Sequence, residues 1–467
     1  MKYEKIIIGT GFASHYVSNQ ILGSSILMIQ PKIADGELIN VILTDSSIFE
    51  ISQFSKTQNF GGGKEVWGGA ISFPNIRNYF KETENIVWNK IGQEIIKVDL
   101  ADNQSTNGET ALLKIFPGIK DYLEIEQHGY LTGSLSSFSN YKFPENSQRE
   151  VLEGAITEIK VLPSGSYMIT LITVSGSLVE LESQEIILAA GNILNACFVS
   201  LLTGHKIFPI GNHCSKKLGE IFFAEPMKLI NIAQTYSPSE AKFLTIGNNG
   251  FSPNFNGTNN SIRLQVTDTV SAQRAAFEYL VKGILVGGLK RKMRIISSIC
   301  NAIIFSERLI SKATIRLTTD QPSDHDNYLE VIRQRNGKWE LKIKLELDSN
   351  VMQDSLHLHQ IIAESLSKSE FVNDVYLPSL RTDKANKILE YAWHDAAHYY
   401  GSIPAKSSNA QSPAVDENLQ LQGFVNCFVV GSSAFPIGSH GHPTKLIMDL
   451  AVRLGVYLNE KTSSRSQ

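Results

Sequence analysis

Four of the eleven histidines fall between residues 394 and 442. Imidazole titrates close to neutral pH, so this stretch is where a proton could be taken up and returned. Trp393-His394-Asp395-Ala396-Ala397-His398-Tyr399-Tyr400-Gly401-Ser402 is followed by Val415-Asp416, then by Val425-Asn426-Cys427-Phe428-Val429-Val430-Gly431-Ser432-Ser433-Ala434-Phe435-Pro436, then by Ser439-His440-Gly441-His442-Pro443-Thr444. A strand, a Gly-Ser turn and a histidine just ahead of a helix over about 445–459 form more than composition would supply. No HExxH spacing and no facial His/carboxylate set accompanies them, so no metal is expected.

A second group has the residue types that hold an anion. Lys5 to Ile8 and Gly9-Thr10-Gly11-Phe12-Ala13-Ser14 read as a short buried strand turning into a helix over about 12–22; Ser25 to Ile29, ending at Gln30, reads as the next strand. In such an opening the first glycine permits the tight turn and the second lets main chain approach a pyrophosphate. The helix start then aims N–H groups and the positive dipole end at it. Ser14 occupies the third small position, and Gln30 stands where an acid ordinarily holds ribose hydroxyls. A glycine turn in any α/β protein would satisfy the same pattern. Further on, Gly61-Gly62-Gly63-Lys64-Glu65-Val66-Trp67-Gly68-Gly69 encloses a tryptophan in glycines. That favours backbone lying against a large flat ligand over a linker, which would be polar.

The elements that must carry these groups follow from periodicity. Residues 155–159, 168–174 and 178–181 alternate as short strands with turns at Pro163-Ser164-Gly165 and Ser175-Gly176. They lead into Glu185-Ile186-Ile187-Leu188-Ala189-Ala190-Gly191-Asn192, a buried strand stopping at a glycine, and a helix to about residue 202. This strand is expected beside the first in a nucleotide-binding sheet. Between about 226 and 381 longer strand-like runs, including 313–319 and 339–347, mix with helical spacing over 272–281 and 351–366. That block reads as a sheet-plus-helix region inserted into the scaffold.

Composition bounds the function classes. With 467 residues, 42% hydrophobic and 19% charged, and 43 basic against 46 acidic side chains, the chain is globular and long enough for two packed regions. Its balance of charge gives no general attraction to nucleic acid. Cys197, Cys214, Cys300 and Cys427 form no CxxC and read as buried thiols of a reducing compartment. No uninterrupted apolar stretch is long enough to span a bilayer, and Ile6 to Ile8 is too short for a secretory apolar region, so the expected location is cytoplasmic. Lys290-Arg291-Lys292-Met293-Arg294, beside apolar 284–286 and 295–304, reads first as a solvated loop. The competing reading is peripheral docking on an anionic membrane or an acidic electron-transfer partner.

Taken together, the sequence resembles the glucose-methanol-choline family of FAD-dependent oxidoreductases. Four segments carry the resemblance in order: Gly9 to Ser14; Gly61 to Gly69, spelled GG-x4-WGG; Ile186 to Gly191; and His398 to Leu458, with His-x-x-Gly-Ser, Val-Asp, Gly-Ser-Ser-x-Phe-Pro and His-Pro-Thr elements. The tryptophan block and the Ser-x-Phe-Pro element look most like the sugar-oxidising branch of gluconate dehydrogenase large subunits and pyranose oxidases. Asp320 to Asn327 is similar to that branch's substrate-domain strand.

The resemblance implies an α/β fold class: a Rossmann-like FAD-binding domain, discontinuous over 1–74, 150–225 and 385–467, plus an α+β substrate domain and cap with a large antiparallel sheet over 75–149 and 226–384. It implies His398 as catalytic base and His442 as its partner, oxidising a CH–OH group of a sugar or sugar-like alcohol: the hydroxyl proton goes to His398 and the hydride to flavin N5. His394 and His440 fall outside the matched slots and are expected to be structural. Around the nucleotide half the implied contacts are Gly9, Gly11, Phe12, Ala13, Ser14, Gln30, Ile156, Ala190 and Gly191. Around the flavin they are Gly62, Val66, Trp67, Gly68 and Gly69, with Gly431 and Ser432, and with Pro443 and Thr444 at a helix start.

Four departures from the family pattern matter. Gln30 replaces the ribose-binding acid. Val66 stands where some members carry a histidine bonded to FAD, so the cofactor is expected to be non-covalent. Ser402-Ile403-Pro404-Ala405 replaces Thr-x-Arg-Met, and Ala224-Glu225-Pro226 replaces Asp-His-Pro. These last two keep open a flavin-binding subunit or scaffold without alcohol oxidation, and a same-fold flavoenzyme acting on a steroid or another alcohol or carrying out a different reaction such as an elimination. The electron acceptor, whether oxygen, a quinone or a cytochrome, is not fixed by the residues.

Overall fold

Ile6, Ile7 and Ile8 are fully buried because the strand that carries them lies inside a sheet covered on both faces, the environment that calls for an unbroken β-branched run. The computed structural model describes residues 1–22, 25–31, 40–43, 49–50, 70–72, 117, 124–125, 128–130, 150–228, 243–248, 260–271, 289–304, 308–321, 327–333, 339–345, 349–369, 372–376, 393–405, 412–435 and 443–465. The framework begins with β1 (Lys2–Ile8), α1 (Phe12–Gln20), β2 (Ile26–Pro31), β3 (Glu150–Val161), β4 (Tyr167–Thr173), β5 (Leu178–Leu188) and α2 (Asn192–Thr203). It continues with β6 (Gly211–Lys228), β7 (Asn260–Ser271), α3 (Leu289–Ile304), β8 (Arg308–Gln321), α4 (Ser349–Ser367), β9 (Trp393–Tyr400), β10 (Cys427–Val429) and α5 (Thr444–Arg465).

Strands β10, β5, β1 and β2 lie side by side and parallel. β3 extends this sheet, parallel to β2 over its first residues and then antiparallel to β4, which returns to the first half of β5. The sequence separates β5 into two runs because Glu182 to Glu185 is polar; the structure makes it one strand. Ser183 Oγ donates to the main-chain oxygen of Glu185 at 2.7 Å, and Glu185 pairs with Lys5 of β1 at 3.0 Å, both side chains buried. The polar interruption is satisfied by the neighbouring strand and does not break this one.

An eight-stranded sheet stands beside it, in the order 49–50, β9, β6, β8, β7, 243–248 and 124–125, with 372–376 also paired to β6. It is antiparallel apart from the junction of 49–50 with β9. A smaller four-stranded sheet joins 207–209, 328–333, 339–344 and 40–43. Buried Leu188, Phe208, Ile221, Ile315 and Leu341 belong to one hydrophobic core, which runs through all three sheets. The mixed α/β architecture, a parallel nucleotide-type sheet with a large antiparallel one, is the fold class expected.

Three expectations need correction or lie beyond reach. Lys290 to Arg294 belongs to α3 and is not a loop. Cys197, Cys214 and Cys427 are buried thiols as expected, but Cys300 on α3 is exposed. The helix expected over 272–281 lies outside the described residues. Among the described residues no helix is long and apolar enough to cross a membrane.

Candidate cofactor crevice and active site

The carboxyl ends of the parallel strands are level. Ile8 is in register with both Leu188 and Ile29, and Leu188 with Val429. Each of three strands leaves this edge through a glycine of positive φ: Gly9 at +130°, Gly191 at +87° and Gly431 at +110°. Ligands of open α/β sheets bind in the crevice outside such strand ends. The sequence therefore brings Gly9, Gly11, Ala190, Gly191, Gly431 and Ser432 to one edge, although they come from three distant segments.

Gly9 has no room for a side chain. A Cβ there would sit 2.3 Å from the Ala189 oxygen and 2.8 Å from Ser14 Oγ. Ser14, fully buried, donates from Oγ to that same Ala189 oxygen at 3.2 Å, so the third small position serves to tie α1 to β5. Ala13 is buried beside it, while Gly11 and Phe12 are half-exposed at the helix start. α1 has no side-chain cap hydrogen bond and no acid in its first turn, so neither offsets the positive end of its dipole. Between the glycines, Thr10 is 7% exposed and its Oγ1 has no hydrogen-bond partner.

The start of α2 repeats the theme. Asn195 accepts at Oδ1 from the Ala190 N–H at 3.0 Å and donates from Nδ2 to Ser433 Oγ at 2.8 Å, so one buried carboxamide links the ends of β5 and β10. Asn192, 6% exposed, accepts at Oδ1 from the Ser402 N–H at 3.1 Å, and its Nδ2 is left without a partner. Neither asparagine was singled out in the sequence; the signal was a polar residue on each side of Ile193-Leu194 in an otherwise apolar helix.

At the end of β2, Gln30 is half-buried and pairs in register with Glu153 of β3. The acid that the strand end lacks thus stands on the adjacent strand, a placement that only the pairing register reveals. Ile156, buried, lies three residues further along β3.

His398 is half-buried on β9, in the eight-stranded sheet, at an irregularity. Tyr399 pairs with Asn212 and Asp395 with Cys214, so Ala396, Ala397 and His398 face the single residue His213 of β6. Such a bulge unpairs the strand and re-aims its side chains, and bulges concentrate beside active sites. Tyr400 closes the ladder against Gly211, where a Cβ would lie 2.3 Å from the tyrosine ring. Asn212 next to the bulge is fully buried and its Oδ1 has no partner. Beyond the strand the chain is sewn onto the crevice edge: the N–H groups of Gly401, Ile403 and Ala405 donate to the oxygens of Ser432, Ser433 and Ala434 at 2.9, 2.9 and 3.1 Å. Gly401 is three positions on from His398, so the His398 Cα lies within about 11 Å of that seam.

Val415-Asp416 has a structural duty. Asp416 Oδ1 accepts from the N–H groups of Asn418 and Gln420, both at 2.9 Å, fixing the loop that precedes β10. Ala224 to Pro226 falls at a register shift of β6, where a proline is tolerated because the ladder is already interrupted. Pro443 is half-buried and Thr444 buried at the start of α5. His442, His440, Gly62, Val66, Trp67, Gly68 and Gly69 lie outside the described residues.

The residues present fit a dinucleotide. Two donors near the crevice edge, Thr10 Oγ1 and Asn192 Nδ2, are buried without partners. Open space of at least 4 Å surrounds the Cβ positions of Gly11, Gly191 and Gly431. Buried polar groups left unpaired by protein call for a ligand to satisfy them.

A family model described as GMC oxidoreductase matches residues 258–451. The chain is similar in fold to the crystal structure of pyridoxine 4-oxidase from Mesorbium loti, at 11% identity, covering 98% of this chain and 99% of that one with a TM-score of 0.61. No curated protein matches the chain.

Proposed function

We propose that the chain, which belongs to the GMC oxidoreductase family and is an oxidoreductase acting on CH–OH donors, oxidises a sugar or sugar-like alcohol with His398 as the base. Members of the family are flavoproteins that generally use FAD, which supplies a hydride acceptor when bound. The observation that carries the assignment is the position of His398: it sits on a strand bulge whose continuation, Gly401 to Ala405, is hydrogen-bonded to the crevice-edge residues Ser432 to Ala434.

The Gly9-Thr10-Gly11 turn and the N–H groups at the start of α1 would hold the pyrophosphate, with Thr10 Oγ1 as an added donor. Gln30 and Glu153 would share the ribose hydroxyls, the glutamate supplying the charge that residue 30 lacks. His398 would take the hydroxyl proton of the substrate, and His442 would hold that hydroxyl in line. Val66 in the place of a histidine supports a cofactor held without a covalent bond.

The sugar reading rests on the spelling of the tryptophan block and the Ser-x-Phe-Pro element. Since the fold relative is titled a pyridoxine 4-oxidase, small polar alcohols other than sugars belong in the substrate panel. Acid precipitation of the yellow protein is expected to leave FAD in the supernatant; flavin retained in the pellet would overturn the non-covalent assignment.

A further inference from the structure

Asn192 and Asn195 stand about one turn apart at the start of α2, and their carboxamides are used differently. Asn195 is satisfied at both ends: Oδ1 accepts from the Ala190 N–H at 3.0 Å, and Nδ2 donates to Ser433 Oγ at 2.8 Å and to the Val430 oxygen at 3.3 Å. Asn192, only 6% exposed, is satisfied at one. Its Oδ1 accepts the Ser402 N–H at 3.1 Å, which fixes the orientation of the amide because a main-chain N–H can only donate. The other end is therefore an NH2 group, buried and without an acceptor. An orphaned donor of this kind is costly to keep in a folded chain and points to a ligand. Gly191 at φ +87° precedes the helix with no side-chain cap hydrogen bond, no acid stands in the first turn, and nothing beyond its chain neighbours lies within 4 Å of the Gly191 Cβ position. The positive end of the α2 dipole and the Asn192 NH2 group thus both favour an oxygen acceptor at the carboxyl edge of the sheet.

We propose that Asn192 is a positioning residue that links the cofactor to the segment after His398: Nδ2 donates to an oxygen of bound FAD while Oδ1 keeps hold of Ser402. The inference rests on the FAD reading of the crevice. Ser402 sits between two residues tied elsewhere, since the N–H groups of Gly401 and Ile403 donate to the oxygens of Ser432 and Ser433. Its hydroxyl donates to the Asn192 main-chain oxygen at 3.0 Å, so main chain and side chain of one residue grip the segment. With Nδ2 engaged, the carboxamide is held at both ends, and Ser402, four positions after His398, is fixed with it. Coupling of this kind is reciprocal: FAD tightens the segment, and the segment holds the asparagine ready for FAD.

Deflavinated full-length protein is to be titrated with FAD by flavin fluorescence, and hydrogen exchange of the 401–405 amides followed by mass spectrometry with and without FAD. In the wild type these amides should exchange at least about tenfold more slowly with FAD bound. Asn192→Asp keeps an acceptor for Ser402 but turns the donor into a second acceptor. Its FAD affinity should fall by about tenfold or more, and FAD should no longer protect 401–405. An asparagine that only braced the fold would lower the melting temperatures of apoprotein and holoprotein together, whereas here the rise in melting temperature produced by FAD should itself shrink. Should Asn192→Asp not fold, the wild-type exchange decides alone. Equal exchange of 401–405 with and without FAD, or an Asn192→Asp protein that binds FAD as the wild type does, would overturn the proposal and leave the FAD reading in place. A wild type that takes up no FAD would overturn that reading and the proposal together.

Discussion

Ser402 makes two buried hydrogen bonds to Asn192: its N–H donates to Oδ1 at 3.1 Å and its hydroxyl to the main-chain oxygen at 3.0 Å. The two residues are 210 positions apart in sequence. One begins the helix that leaves the nucleotide sheet; the other follows the strand that bears His398. Where the resemblance expects Thr-x-Arg-Met, Ser402 thus still supplies a hydroxyl that ties the segment after His398 to the crevice edge.

Replacing Ser402 by alanine removes the hydroxyl from a fully buried site and leaves the Asn192 oxygen without that donor. The expected loss of folding stability is about 1–3 kcal/mol, the usual cost of an unsatisfied buried partner. Urea unfolding followed by circular dichroism measures it; an unchanged midpoint would show that the pair contributes nothing.

Gly9 and Gly11 should respond differently to alanine. At position 9 the new methyl meets the Ala189 oxygen at 2.3 Å in a backbone of φ +130°, so Gly9→Ala should unfold or severely destabilise the chain. At position 11 nothing lies within 4 Å, so Gly11→Ala should fold normally and, on the proposed placement of the pyrophosphate, lose FAD affinity by about tenfold or more, because the methyl would occupy that space. Thermal melts and flavin fluorescence titration separate the two outcomes. A Gly11→Ala protein that binds FAD as well as wild type would remove the pyrophosphate from this turn.

Glu153→Gln tests whether the carboxylate beside Gln30 recognises ribose. FAD affinity should fall by about 10- to 150-fold, the scale of a hydrogen bond to a charged group. The thermal midpoint of the apoprotein should be unchanged. Unaltered FAD binding would leave Glu153 as a strand residue only.

How much of this could be read beforehand depends on how local the cause is. The turn at Gly9 and the helix after it follow from sterics within six residues, and both were legible. The unity of β5 was not, because Glu185 is tolerated in the strand only by virtue of Lys5 on the neighbouring one. The bulge at His398 is likewise a property of two strands counted against each other, and no spacing within 393–400 announces it. The pairing of Gln30 with Glu153 joins residues 123 positions apart and depends on register alone. The basic run at 290–294 reads as a solvated loop from its charge, whereas it opens the helix α3, whose continuation through 304 the charge run alone does not announce.

Thiol chemistry follows from burial. Cys197, Cys214 and Cys427 are enclosed, and burial pushes the thiols of Cys197 and Cys427 far above the ordinary range. A raised thiol stays protonated at mildly alkaline pH and is a poor nucleophile. Ellman's reagent at pH 8 should titrate only Cys300 rapidly in the native protein and all four thiols in denaturant. Rapid reaction of a second native thiol would mean that the core around α2 or β10 opens.

Anaerobic mixing with a panel of sugars and small polar alcohols, followed at the flavin absorbance, addresses the central assignment most directly. The wild-type protein should bleach with at least one of them. His398→Ala, with its full complement of FAD, should bleach at least about 10²-fold more slowly, the scale of a removed acid/base group. If no alcohol bleaches the wild type, or if the variant is reduced at the wild-type rate, the assignment of His398 as the base in alcohol oxidation is wrong.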